Sequence, residues 1–307
     1  MKRGIFLIYV LFFGSCLSDK NNQTTEEPPK NQVVKNTGEC EGHLMKRKDG
    51  NLNISILLDL SDRIDLPGQQ AKDSAYILSL AKVFNGHVQA KKLGLLYDKM
   101  EVFFDPTPLD VKINELAGQL KINYSKGVSK KEWLPKTIER YGTVPSQIYE
   151  LGRNQSKKGV YPGSDTWGFF KKHVKDYCID VCRRNVLVIL TDGYLYHETN
   201  LRKNGNQTSY LTPQLLVQLK LNKHNWKEIM ENQNLGFIPA TNGLQDLEVL
   251  VIGIQSQNSR HPYAQEIIET YWQEWLSAME VKRYKIKSAD LPSHVEKVIA
   301  DFISKKR

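Results

Sequence analysis

The segment Val186-Leu187-Val188-Ile189-Leu190 limits the fold more than any other part of the chain. Five apolar residues in a row leave no polar face for water, so the segment reads as a strand covered on both sides. Leu247 to Ile254 repeats the pattern, and residues 52–60 repeat it with Ile54-Ser55-Ile56-Leu57-Leu58. Between these runs the apolar residues recur at helical spacing. Residues 69–84 carry Ala71, Ala75, Leu78, Ala81 and Val83, and residues 110–122 form a second amphipathic helix. Residues 93–104 predict one or two strands, and residues 166–177 a helix. Helical segments follow at 212–221 and 225–231. The chain closes with a helix over 263–279 bearing Ile267, Ile268, Tyr271, Trp275 and Leu276, a strand over 281–286 and a helix over 292–304. Such alternation predicts an α/β fold: a doubly wound, mostly parallel central sheet with helices on both faces, Rossmann-like in plan.

The amino terminus has a different character. Met1-Lys2-Arg3-Gly4 precedes an apolar run over 5–13 and then Gly14-Ser15-Cys16, the pattern of an export signal. The run is too short to span a bilayer, which takes about 20 apolar residues. Cys16 after Gly-Ser resembles the lipidated cysteine of a bacterial lipobox, although Phe13 stands where Leu is usual. Residues 1–15 are accordingly expected to be a lipoprotein signal peptide. Residues 16–50, poor in large apolar side chains, are expected to be a flexible tether behind Cys16. Residues 51–307 then form one domain with insertions at about 123–163 and 194–246. The expected location is the bacterial cell envelope, lipid-anchored.

Three further cysteines are Cys40, Cys178 and Cys182. Cys178 and Cys182 could close a small disulfide loop, or one of them could reach Cys40; an odd count leaves one thiol free. Their spacing, with no ligand histidine nearby, is poor for zinc.

Two expected strands end in aspartate, at Asp59 and Asp192. Asp59-Leu60-Ser61-Asp62-Arg63 follows the first and Thr191-Asp192-Gly193 the second. Between them Gly163-Ser164-Asp165-Thr166 puts a hydroxyl before a helix. In a doubly wound sheet ligands bind at the carboxyl ends of the strands. Two carboxylates and two hydroxyls gathered there form an all-oxygen set suited to Mg²⁺, or to Mn²⁺ or Ca²⁺. Without a cation the two carboxylates repel each other.

This constellation resembles the von Willebrand factor type A (VWA) domain and its metal-ion-dependent adhesion site, over about residues 52–305. Asp59 and Ser61 match the first two positions of that family's Asp-x-Ser-x-Ser motif, Thr166 its middle-loop threonine and Asp192 its late aspartate. Arg63 stands where the second serine belongs. A guanidinium only donates hydrogen bonds and stays charged. Pointing inward, Arg63 would replace the metal by pairing with Asp59 or Asp192. Pointing outward, with Asp62 or Asp65 as partner, it would leave a position for water. The resemblance implies a non-enzymatic module binding a protein partner through a partner carboxylate on the cation. Two alternatives from other classes are a metal-dependent phosphoesterase built on the same aspartates and a scaffold with a degenerate, metal-free site.

The whole chain has 43 Lys and Arg against 34 Asp and Glu, a formal charge of +9. Residues 121–163 hold nine Lys or Arg against three Glu, so the excess is expected beside the site. Tyr161, Trp167, Tyr194, Tyr196 and Trp226 are expected near the same rim. No phosphate-binding glycine loop, dinucleotide fingerprint, nucleophile elbow or HExxH motif occurs. Nucleic acid is not the expected partner.

Overall fold

The computed structural model describes residues 40–124, 128–158, 161–257 and 261–304. Cys16, the signal peptide and the tether up to residue 39 lie outside the described residues. Helix α1 is Gly42–Met45; strand β1, Leu52–Leu58; α2, Gln69–Ala90; β2, Asp98–Phe103; α3, Val111–Gln119; β3, Ile122–Tyr124. Then come α4 (Lys130–Ser156), α5 (Thr166–Lys172), α6 (Val174–Cys178) and β4 (Arg184–Leu190). The short β5 (Lys203–Asn204) and β6 (Gln207–Thr208) precede α7 (Pro213–Gln218), α8 (Trp226–Gln233) and β7 (Gly236–Phe237). The chain ends with β8 (Leu247–Ile254), α9 (Ala264–Ala278), β9 (Arg283–Ser288) and α10 (Pro292–Ser304).

Six strands form the central sheet in the order β3-β2-β1-β4-β8-β9. All pairings are parallel except β2 with β3. The expected fold class is therefore the observed one. Period-2 alternation divides the apolar strand residues between two cores. Ile54, Ile56, Val186, Val188, Leu190, Leu250 and Ile252 face the core capped by α2, α4 and α10. Leu57, Leu187, Ile189, Val249 and Val251 face the core capped by α5, α6 and α9. Between β1 and β4 the winding reverses direction, and that reversal opens the crevice where such sheets bind ligands.

Three expectations need correction. The expected insertion at about 123–163 is largely one helix: α4 is continuous and carries Pro135 and Pro145 inside it. Each proline removes one backbone donor and leaves the carbonyl four residues earlier, at Lys131 and at Tyr141, without its helical N–H. Tyr141, Val144, Ile148 and Tyr149 bury one face against α2 and its neighbours, and that burial outweighs two missing donors.

Residues 40–50 are not tether. They hold α1, and Cys40 is bonded to Cys182. The two-cysteine loop between Cys178 and Cys182 is thereby excluded, and Cys178 is a buried free thiol. Cys178 ends α6 with its side chain in the core, while Cys182 lies on the turn that leads into β4.

Candidate functional site

Both strand-end aspartates are where the topology requires them. Asp59 follows β1 and Asp192 follows β4, and both are almost fully buried. The backbone fixes them to neighbouring strands: the Asp59 N–H donates to the Leu190 carbonyl at 3.2 Å and the Gln255 N–H to that of Asp192 at 2.9 Å. Among the described residues each carboxylate oxygen accepts one hydrogen bond. Asp59 Oδ1 takes the Ser61 N–H at 3.0 Å, and Asp59 Oδ2 takes the Thr191 hydroxyl at 2.8 Å. Asp192 Oδ1 takes the Tyr194 N–H at 3.1 Å, and Asp192 Oδ2 takes the Gln257 amide at 2.8 Å. Every one of these oxygens keeps a lone pair for a further partner. Burial first, and then the facing Asp59 charge, push the Asp192 carboxyl up to about 6; Arg63 and the Gln257 amide work against that rise.

Gly193 lets the chain turn here. Its φ is +97°, and a Cβ would stand 2.5 Å from the Ile268 side chain and 2.7 Å from that of Ile254.

Arg63 points neither out to solvent nor onto the two carboxylates. It is fully buried below them. Its Nη1 donates to Asp73 Oδ2 on α2 at 2.8 Å and to the Asp59 carbonyl at 3.2 Å. Nη2 donates to Asp73 Oδ1 at 3.3 Å. Asp73 also accepts from Tyr149 Oη of α4 at 2.6 Å and from Gln69 Nε2 at 2.9 Å. The Arg63 charge is thus spent mainly on Asp73. Asp62 and Asp65 do not hold it; Asp65 instead accepts from the Tyr161 hydroxyl at 2.8 Å.

The two aspartates open on a cleft of about 620 Å³. Ser61 and Ser164 line it, and Thr166 does not. Asp165 caps α5 by accepting the Gly168 N–H at 2.8 Å, which makes Thr166 the first helical residue. The Thr166 side chain is turned into the domain, 2% exposed, with its hydroxyl 3.4 Å from Ser164 Oγ. The Gly163 N–H donates to the Leu60 carbonyl at 3.3 Å, which holds the Ser164 loop against the end of β1. Ser164 was quoted in the sequence but passed over for the threonine; the N-cap signal of Asp165 separates the two. Gln257 was also missed, although a loop leaving β8 must emerge at the same edge.

Tyr161, Tyr194 and Tyr196 line the cleft, whereas Trp167 and Trp226 are buried in the core. The basic excess of 121–163 is not beside the site. Among the described residues of that stretch only Tyr161 and Gly163 line the cleft, because α4 lies along α2 and turns its charged face outward. Among the described residues no three His, Cys, Asp or Glu side chains gather closely enough to hold a metal. A cation here would depend on the hydroxyls as well as on Asp59 and Asp192. No helix among the described residues is long and apolar enough to cross a membrane.

No protein-family model matches the chain, and no curated protein matches it. Among solved structures, proximal thread matrix protein 1 of the mussel byssus is similar at 10% identity and a TM-score of 0.33. That likeness covers 83% of this chain and 46% of the mussel protein, so the chain spans about half its length. An aerotolerance-related membrane protein from Bacteroides fragilis is similar at 13% identity and a TM-score of 0.36, over 83% of this chain and 100% of that one. The pilus adhesin SpaC from Lactobacillus rhamnosus GG is similar at 10% identity and a TM-score of 0.39, over 83% of this chain and 30% of its own.

Proposed function

We propose that this chain is a VWA-like binding module, carried by an envelope lipoprotein anchored at Cys16, that holds a divalent cation between Asp59 and Asp192 and engages a protein partner there. One observation carries the reading: two buried carboxylates from adjacent strands share one open cleft with two serine hydroxyls, at the edge where doubly wound sheets bind ligands. The donor set fits a hard cation. It is all oxygen, each carboxylate oxygen retains a lone pair, and the raised Asp192 carboxyl reflects unbalanced negative charge in a dry site. Asp59, Asp192, Ser61 and Ser164 would hold the ion, with Ser164 in the place the sequence gives to Thr166. Bound there, Mg²⁺ or Mn²⁺ would supply an open coordination position for a partner carboxylate, as the VWA resemblance implies. Thr191 and Gln257 orient the two aspartates. Arg63 stiffens the floor through Asp73.

Calorimetry tests the cation. The protein should bind Mg²⁺ or Mn²⁺ at millimolar concentration or tighter. Asp192→Ala should abolish binding and Ser164→Ala should weaken it about tenfold, with Thr166→Val nearly neutral. No heat from either metal would remove the cation from the reading and leave the fold untouched. Recovery of a partner from envelope extract, lost with a chelator, tests the binding role. Metal-dependent turnover of phosphoesters would favour the hydrolase instead.

A further inference from the structure

The charge around the cleft runs against that of the chain. The protein is basic overall, yet four carboxylates, Asp59, Asp62, Asp192 and Glu198, line the cleft. Among the described residues no lysine or arginine lines it, and His197 is the one base that does. Arg63, which donates to the Asp59 carbonyl, is sealed below the floor on Asp73. Asp62 and Glu198 are exposed, and neither has a hydrogen-bond or ion-pair partner among the described residues. A divalent cation would balance Asp59 and Asp192 and still leave these two uncompensated at the mouth. Beside them stand the exposed rings of Tyr196, 57% exposed, and Tyr161, 38% exposed. Asp65 holds the Tyr161 hydroxyl, so that ring is fixed in place. Unpaired carboxylates next to exposed aromatic faces suit lysine and arginine heads, by charge and by cation–π contact.

We infer that the partner presents a basic segment to this cleft: a stretch of chain with lysine or arginine side chains that meet Asp62 and Glu198 and lie over Tyr161 and Tyr196. The inference builds on the reading of the cleft as the partner site and specifies the charge of what enters it. One partner carboxylate can reach the cation, but a surface that is acidic beyond that single group meets Asp62 and Glu198 at the mouth and is repelled. The outward-facing basic residues of α4 are the wrong sign for this partner and take no part.

Dye-labelled nine-residue Gly/Ser peptides carrying three arginines, three glutamates or no charge probe the cleft of the full chain by fluorescence anisotropy, in Mg²⁺ and in chelator. In chelator, where no cation can take a carboxylate, the arginine peptide should bind at least tenfold more tightly than the glutamate peptide. Raising the salt from low to physiological should weaken it. The double variant Asp62→Asn with Glu198→Gln should lose most of that preference, and Tyr196→Ala should weaken binding several-fold. Both variants should keep the wild-type melting temperature, because these groups are exposed. Equal or reversed preference in chelator, no binding by any of the three peptides, or a preference that survives the double variant would each overturn the inference. Mg²⁺ calorimetry on the same samples separates the two claims. Metal heat without arginine preference leaves the cation reading standing alone, and arginine preference without metal heat does the reverse.

Discussion

Burial and the facing Asp59 push the Asp192 carboxyl up to about 6, from an ordinary 3.8. The sign of the consequence follows from proton linkage. A carboxyl raised in the folded state gives its stability below the unfolded value and loses it as pH rises through the folded one. Metal-free protein is therefore expected to lose about 2–3 kcal/mol between pH 4 and pH 7 through the Asp59–Asp192 pair. Asp192→Asn keeps the shape and removes the charge. In chelator at pH 7.5 it should raise the urea midpoint by an amount equivalent to about 1–2 kcal/mol, with a smaller gain at pH 4.5 and almost none at about pH 3. A variant that loses the proposed cation and gains stability marks a residue kept for binding. If Asp192→Asn is destabilising at pH 7.5, the charge is not a burden on the fold. The Arg63 pair behaves the other way. Arg63→Met leaves Asp73 buried without its cation and should cost about 3–5 kcal/mol. Adding Asp73→Asn should recover most of that loss, because the lone charge goes with its partner. A double-mutant cycle by urea denaturation reads both numbers.

At the scale of elements the site is an edge, made by β1, β4 and β8 ending together. Gly193 and Gly253 allow that closeness. Gly253, at φ +102°, sits where the register between β8 and β9 shifts, and a Cβ there would lie 2.9 Å from the Thr191 carbonyl and 3.5 Å from Arg63 Nη2. Gly193→Ala should displace Ile268 and Ile254 and cost about 1–3 kcal/mol, as overpacked cores do. It should also weaken Mg²⁺ by moving Asp192, a joint loss that melting and calorimetry would record on one sample. A drop in stability with metal affinity intact would show that Asp192 is positioned independently of this turn. The strands were readable in the sequence because burial on both faces leaves continuous apolar runs, and β8 and α10 fall on the expected residues. Helix α4 was not, because Pro135 and Pro145 signal breaks and only the packed face of Tyr141, Ile148 and Tyr149 overrides them. The same limit applies at the site. Asp59 and Asp192 announce themselves as charges at the ends of apolar strands. That Ser164, and not Thr166, lines the cleft follows only once Asp165 is known to start a helix. The partner of Arg63 was hidden in α2, although a carboxylate at position 73, on the face shared by Tyr76, Ile77 and Leu80, marks a buried charge that must be paired.

In the whole molecule the parallel strands give the domain two unlike ends. The cleft lies at their carboxyl ends. The disulfide between Cys40 and Cys182 lies at their amino ends, just ahead of Arg184, whose N–H donates to the Asn51 carbonyl at 2.8 Å. At that same end Arg184 and Arg283 grip Glu248, and Arg184 also donates to the Phe302 carbonyl at 3.1 Å, which ties down α10. Strand β4 spans the distance between staple and site, from Arg184 to Leu190, with Asp192 two residues beyond. The chain therefore enters the described domain on the side away from the cleft, the arrangement that the proposed tether and binding face would require. The disulfide closes a loop of 142 residues in sequence, so its loss frees a large unfolded ensemble. Cys40→Ser should lower stability by about 3–5 kcal/mol on the chain-entropy account. The change acts at the opposite end of β4, and Mg²⁺ affinity of the folded variant should stay within about twofold of wild type, the additivity expected of distant sites. Denaturation in urea and calorimetry below the transition measure the two effects separately. A large fall in metal affinity would mean that the staple and the cleft are coupled through β4, and that tension on the amino-terminal segment reaches the binding face.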